Sequence, residues 1–188
     1  MRVIIGAEMN EMQQKEKVIF LDRDGVINKK ATQGDYIKSW REFEFLESVF
    51  EALWKLNAAG FKVVIATNQR GIARGKMTQI MLEDIHKKML DALKYQDVHI
   101  DQIYYCPHDE GQCNCRKPQT GMLERAERLW DIDKKHSYMI GDSDSDIVAG
   151  KSFGVKTIRI TDKKRLEIEA EYACKSLLEA AIYITEKR

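Results

Sequence analysis

Val18-Ile19-Phe20-Leu21-Asp22-Arg23-Asp24-Gly25-Val26 is the stretch that decides the fold. It opens with an unbroken apolar run rich in β-branched and aromatic side chains, which is how a strand buried on both faces reads. Such strands belong to parallel sheets covered by helices. The run stops at two aspartates spaced two apart. In extended backbone alternate side chains share a face, so Asp22 and Asp24 point the same way just past the strand. Two carboxylates placed together repel, and a bound cation offsets that repulsion.

The same grammar recurs along the chain. Apolar strand patterns fall at 61–66, 103–105, 137–140 and 155–160, the first running into Thr67-Asn68-Gln69 and the third into Gly141-Asp142. Helical spacing predicts helices over 47–59, stopped by Gly60, over 78–95 with Thr78 as N-cap, over 120–130, and from Ser176 through Ile184. Met81, Ile85, Met89 and Leu93 form the expected inner face of the second. Strands alternating with helices predict an α/β fold, a Rossmann-like three-layer sandwich around a central parallel sheet. In such sheets ligands collect at the carboxyl ends of the strands, so DRDG, TNQ and GDSDSD should meet in space.

Composition limits what such a fold could serve. The chain has 188 residues, with 31 Lys+Arg against 30 Asp+Glu and a formal net charge of +1. That length suits one compact domain, read as 17–188 behind a lead-in at 1–16. Balanced charge lacks the basic surplus of a protein that coats nucleic acid, so no nucleic-acid partner is expected. Neither a signal-peptide core nor an apolar run of about 18 residues is present, which points to a cytoplasmic protein with no membrane partner. A monomer is expected.

Three further clusters carry chemistry. Asp142, Asp144 and Asp146 add carboxylates at another strand end. Few carboxylates completed by water and phosphate are what Mg²⁺ prefers, although acidic turns also cap helices. Arg116-Lys117-Pro118 puts two cations where a phosphate could be held, or is a solvated basic turn, and Thr67, Asn68 and Gln69 offer a hydroxyl and two amides. Cys106, His108, Cys113 and Cys115 lie within ten residues, apart from the lone Cys174. Three thiolates and an imidazole suit tetrahedral Zn²⁺ and leave no open position, so the site reads as structural, pinning the loop that carries Arg116 and Lys117.

Taken in order, these features resemble the haloacid dehalogenase superfamily of aspartate-nucleophile phosphatases over about 17–160. Asp22 to Val26 looks like its first motif, Thr67 its second, Lys117 its third, and Gly141-Asp142 through Asp146 its fourth. The resemblance implies that Asp22 is the nucleophile and Asp24 the acid and base, while Thr67 and Lys117 hold the phosphoryl group. It implies Mg²⁺ on Asp22, the backbone carbonyl of Asp24, and Asp142, with Asp146 in support. The gaps from Asp24 to Thr67 and from Thr67 to Lys117 leave no room for a separate cap, so a capless member is expected.

The cysteine loop is similar to the superfamily's zinc-containing subgroup, the heptose-bisphosphate and histidinol-phosphate phosphatases. The stretch 71–76, Gly-Ile-Ala-Arg-Gly-Lys, leans toward the former, which implies a small sugar bisphosphate substrate and a place in activated-heptose biosynthesis. A second phosphate needs further cations, for which Arg70, Arg74, Lys76 and above all Arg116 are available, with Asn68 and Gln69 as further contacts. Ser143 stands after Asp142 where the heptose enzymes often carry lysine. Histidinol phosphate, a nucleic-acid 3′-phosphate and a silent zinc-stabilised module are the rival readings. His86, His99 and His136 are read as surface or packing residues, and Cys174 as a packed thiol.

Overall fold

The structure, a computed structural model, describes residues 15–163, 165 and 167–186. Most of the expected lead-in lies outside them. Glu16 already belongs to the fold, its N–H donating to the Asp131 carbonyl at 2.8 Å.

In chain order the elements are β1 (Val18–Leu21), α1 (Val49–Ala58), β2 (Lys62–Asn68), α2 (Gln79–Tyr95), β3 (Gln102–Cys106) and α3 (Gly121–Glu127). They continue with β4 (Tyr138–Gly141), α4 (Asp144–Phe153), β5 (Lys156–Ile160), β6 (Tyr172–Cys174) and α5 (Leu177–Glu186). The six strands make one sheet in the order β3-β2-β1-β4-β5-β6, every pairing parallel. The expected α/β sandwich is therefore the observed fold.

Strand alternation sorts the core into two layers. Ile19, Leu21, Val63 and Ile65 face α1, α2 and α5, packing against Leu53, Leu56, Leu82, Ile85, Met89 and Ala180. Val18, Phe20, Val64 and Ala66 face the other way, onto Met122 and Leu123 of α3 and Phe153 of α4. Each β1 side chain is fully buried, and at roughly 1.5–3 kcal/mol for such a side chain the central strand anchors both layers.

Three elements differ from expectation. The inner face of α2 is Leu82, Ile85, His86, Met89 and Leu93, whereas Met81 is half-exposed and its N–H donates to the capping Thr78 hydroxyl at 3.2 Å. Helix α4 starts directly in the acidic segment, where Ser143 and Asp146 form a reciprocal capping box. The short β6 carries too few residues to show a period.

Between β1 and α1 the chain forms a flap with one 3-10 turn, Trp40–Glu42, and one antiparallel bridge between Asn28 and Phe45, pinned further by rings. Trp40 stacks on Phe43 at 5.0 Å between ring centres, and Phe45 meets Phe43 at 5.0 Å and Phe50 of α1 at 4.7 Å. No cap domain and no helix long and apolar enough to cross a membrane occurs among the described residues.

Candidate active site

Chain order reverses at β1: β2 and β3 lie to one side, β4, β5 and β6 to the other. A crevice opens at the carboxyl end of such a switch point. Asp22 leaves β1 there with its N–H still bonded to the Ile140 carbonyl of β4 at 3.0 Å, and Asp142 follows β4. Two glycines allow the crowding. Gly25 has φ +90°, and a Cβ on it would strike the Asp142 carboxylate; one on Gly141 would strike Asp146.

Lys117 is buried, with Nζ 3.1 Å from Asp22 Oδ1 and 2.6 Å from Asp146 Oδ1. Its backbone is clamped at the end of β2, where Asn68 Nδ2 donates to the Lys117 carbonyl and Asn68 Oδ1 accepts from the Lys117 N–H, both at 3.0 Å. Asp146 also accepts from the Ser143 N–H at 2.9 Å and hydroxyl at 2.6 Å, so the serine steers this carboxylate. Burial disfavours the charge on Asp146, but Lys117 and the Ser143 bonds outweigh it and hold the carboxyl below its usual range.

Asp22 behaves oppositely. Burial, with added repulsion from Asp146, Asp24 and Asp142, outweighs the pull of Lys117 and pushes it up to about 6. Burial also raises Asp142, against the pull of flap residue Lys30, which pairs with its Oδ2. Asp142 Oδ1 is buried without a hydrogen bond, Asp22 Oδ1 meets Lys117 Nζ, and oxygens of Asp22, Asp142 and Asp146 lie within 4.8 Å of one another. Hard carboxylate oxygens at mutual ligand distance, one of them without a donor, fit a divalent cation.

The Asp24 carboxylate lines the same cleft and sits in a grip of donors. Arg23 Nη2 donates to both its oxygens at 3.0 Å, Asn28 Nδ2 to Oδ1 at 2.8 Å, and Gln69 Nε2 to Oδ2 at 3.0 Å. Burial opposes ionisation here too, but the Arg23 charge and these bonds prevail and hold Asp24 below the usual carboxylate range. Thr67 is buried at the end of β2, its hydroxyl accepting from Gln69 Nε2 at 3.0 Å.

Two clefts meet at Asn68. One, of about 320 Å³, is lined by Asp22, Asp24, Asp142, Gln69 and flap residues Lys30 to Ile37. The other, of about 380 Å³, is lined by Arg116, Lys117, Pro118, Glu110 and Ser145. Arg116 faces this second cleft with a buried Nη1 that has no hydrogen-bond partner, ready for an anion. Arg70 and Arg74 are engaged elsewhere. Arg70 pairs with Asp109 and Glu110, and Arg74 Nε lies 3.5 Å from Asp109 Oδ2, tying the loop after β2 to the cysteine loop.

In that loop the four expected ligands converge. Cys106 Sγ lies 3.5 Å from Cys113 Sγ and 3.7 Å from His108 Nδ1, and Cys115 Sγ lies 3.3 Å from Cys113 Sγ and 3.5 Å from His108 Nδ1. Ligands on a tetrahedral Zn²⁺ with Zn–S near 2.3 Å stand about 3.8 Å apart, so the donor set fits that ion in identity and spacing.

Arg23, Asn28, Lys30 and His86 are site-lining or site-supporting residues that motif reading passes over. For His86 a signal existed. It stands four residues after Leu82 and three before Met89, on the buried face of α2.

The family model described as polynucleotide kinase 3 phosphatase matches residues 17–171. A D-glycero-alpha-D-manno-heptose-1,7-bisphosphate 7-phosphatase of Campylobacter jejuni is 39% identical over 92% of this chain and 98% of its own. The D-glycero-beta-D-manno-heptose-1,7-bisphosphate 7-phosphatase of Escherichia coli is 40% identical over 86% and 88% respectively. A crystal structure of the D,D-heptose 1,7-bisphosphate phosphatase from B. bronchiseptica, complexed with magnesium and phosphate, superposes with a TM-score of 0.81 at 32% identity, over 92% of this chain and 99% of that one.

Proposed function

The chain belongs to the polynucleotide kinase 3 phosphatase family and, within the haloacid dehalogenase superfamily, to the heptose-1,7-bisphosphate 7-phosphatases, and from that premise we propose that it hydrolyses the 7-phosphate of D-glycero-D-manno-heptose 1,7-bisphosphate. The observation that carries this reading is the meeting of Asp22, Lys117 and Asp142 at the β1/β4 switch point, with Asp24 beside them and a cleft opening on the three carboxylates.

The chain's own groups divide the work. Asp22 attacks phosphorus as the sugar oxygen leaves, forming an aspartyl-phosphate. Asp24 gives that oxygen a proton and then takes one from the water that opens the intermediate. Lys117, fixed by Asp146 and by the Asn68 clamp, faces the developing phosphoryl charge, and Thr67 holds the phosphoryl group at the neighbouring strand end. Mg²⁺ would be held by Asp22, Asp142 and the Asp24 carbonyl, and when bound it neutralises charge on the phosphoryl oxygens.

The retained phosphate suits the second cleft, where Arg116 has an unmet donor. Asn68 and Gln69 border the reacting end through their positions at the cleft wall, while the contribution of Arg70 and Arg74 is to brace the loop through Asp109. Cys106, His108, Cys113 and Cys115 would hold Zn²⁺, which would fasten that loop, in keeping with a reducing cytoplasm where thiols stay unpaired. We place this activity in one domain over 17–188, acting as a monomer.

Phosphate release is compared for heptose 1,7-bisphosphate, histidinol phosphate and a 3′-phosphorylated oligonucleotide. The heptose substrate is expected to lead in kcat/KM by at least about tenfold, the scale on which placed charged contacts discriminate. A higher value for either competitor overturns the substrate assignment.

A further inference from the structure

Helix α2 carries a buried imidazole that the reaction above leaves unused. His86 Nε2 lies 3.1 Å from Arg23 Nη1, and Arg23 is completely buried. A guanidinium has only donors to offer, so His86 is the acceptor in this bond and carries its own proton on Nδ1. The rest of the Arg23 fork faces one residue, Asp24, through Nη2 at 3.0 Å to each oxygen and Nε at 3.3 Å. A cation with no exposure must satisfy its donors inside the protein, and Asp24 and His86 are the side chains that do so here.

The arrangement is a relay of position. Arg23 reaches His86 of α2 with Nη1 and the Asp24 carboxylate with Nη2, so one side chain links the helix to the carboxylate that lines the cleft beside Asp22. Without a stop at Nη1 the guanidinium could turn about its own stem, and the two-oxygen grip on Asp24 would turn with it. The groups facing His86 are Arg23, the Asp24 carboxylate beyond it, and the Tyr105 ring of β3 at 5.9 Å. Burial first, and the Arg23 charge second, keep the imidazole far below its usual range, so it stays an acceptor wherever the protein is folded.

We propose that His86 is a positioning residue for the acid–base step: by accepting from Arg23 Nη1 it locks the guanidinium, which in turn sets the Asp24 carboxylate at the leaving oxygen. This rests on the phosphatase reading and on the role that reading gives Asp24. No bond is made or broken by His86, and the proton delivered to the leaving oxygen comes from Asp24.

Leaving-group dependence tests it. A sugar alkoxide leaves only with a proton, whereas p-nitrophenolate leaves with little help, so an impaired acid shows on the first and not on the second. The Mg²⁺-loaded enzyme is assayed on heptose 1,7-bisphosphate and on p-nitrophenyl phosphate as wild type, His86→Leu and His86→Gln. Leucine fills the space without an acceptor, and glutamine restores one.

For His86→Leu the ratio of sugar-phosphate to aryl-phosphate kcat should fall about tenfold, a fraction of what a general acid supplies, with KM unchanged, and His86→Gln should recover to within about twofold of wild type. The ratio is independent of how much of each preparation is folded, and His86→Met is read the same way if His86→Leu does not fold. A ratio that stays level or rises in the leucine and methionine variants, or that falls equally in the glutamine variant, overturns the proposal. A wild type inactive on the sugar phosphate removes the underlying assignment as well, whereas an active wild type with an unmoved ratio removes only the role of His86.

Discussion

The two clefts that meet at Asn68 differ in how their charges are held. The carboxylate cleft is built on strand ends: the pairing of β1 with β4 places Asp22 and Asp142, and burial, against the pull of Lys117, leaves Asp22 with the raised proton affinity. The cation cleft is built on a loop, held at one end by the Asn68 clamp and at the other by the four cysteine and histidine donors. On the proposed reading, chemistry sits at the strand ends and recognition on a loop that needs a separate fastening. Each side should therefore fail in its own way.

The largest separation is expected from Asp22→Asn. It keeps the shape of the strand end and removes the attacking oxygen, so kcat should fall by about a thousandfold or more while substrate still binds. Rapid-quench assays and equilibrium binding of the bisphosphate check both halves. Loss of binding in step with turnover would mean that the two clefts are not separable.

Cys113→Ser attacks the other side through its fastening. Removing one thiolate should release the zinc, at a cost on the order of 3 kcal/mol, which in a chain of this size lowers the melting temperature by about 10 °C. Metal analysis and calorimetry read the loss directly. The variant should keep more of its activity on p-nitrophenyl phosphate than on the bisphosphate, because Asn68 and Asp146 still hold Lys117 when the cysteine end of the loop is released. Arg116→Ala is a finer cut in the same cleft. Losing a charged hydrogen bond worth about 1.5–3 kcal/mol should raise KM for the bisphosphate roughly 10- to 100-fold and leave a monophosphate within about threefold. Equal effects on both would place Arg116 at the reacting phosphate instead.

The contrast between sheet and loop also explains what could be read from the chain alone. An apolar run ending in aspartates announces β1 and its acidic end, because strand burial and the position of a strand terminus are local properties. The thiolate cluster is equally local. Partnerships across the fold are not: Arg70 and Arg74 look like phosphate cations until Asp109 and Glu110 are found against them from the cysteine loop. Asn68 reads as a substrate contact, while its clamp on the Lys117 backbone, one bond from each end of the amide, is invisible in the sequence. The flap shows no period because ring contacts, a single 3-10 turn and one isolated bridge fasten it, none of them long enough to repeat. His86 is intermediate, since its place on the apolar face of α2 is visible in the spacing and its partner Arg23 is not.

That hidden partnership gives the smallest of the expected effects and probes the support behind the carboxylate cleft. Burial, then the Arg23 charge, lowers His86 from 6.5 to about 3. The unfolded chain therefore takes up a proton that the folded protein refuses. Stability from this group is fully present above about pH 6.5 and is lost as pH falls toward 3, at about 1.4 kcal/mol per unit. Between about pH 7.5 and 5 the wild type should lose about 2 kcal/mol that His86→Gln does not lose, measured by urea unfolding at the two pH values. Asp22 works in the opposite direction, because its raised affinity for a proton adds stability at low pH that fades as pH rises through about 6. Asp24, held below the ordinary carboxylate range, acts only below that window. Both are common to the two proteins and cancel in the difference, which leaves the slope of one imidazole. A difference of zero would mean that His86 is hydrated in solution, and the carboxylate cleft would then lack the dry support that sets it apart from the loop beside it.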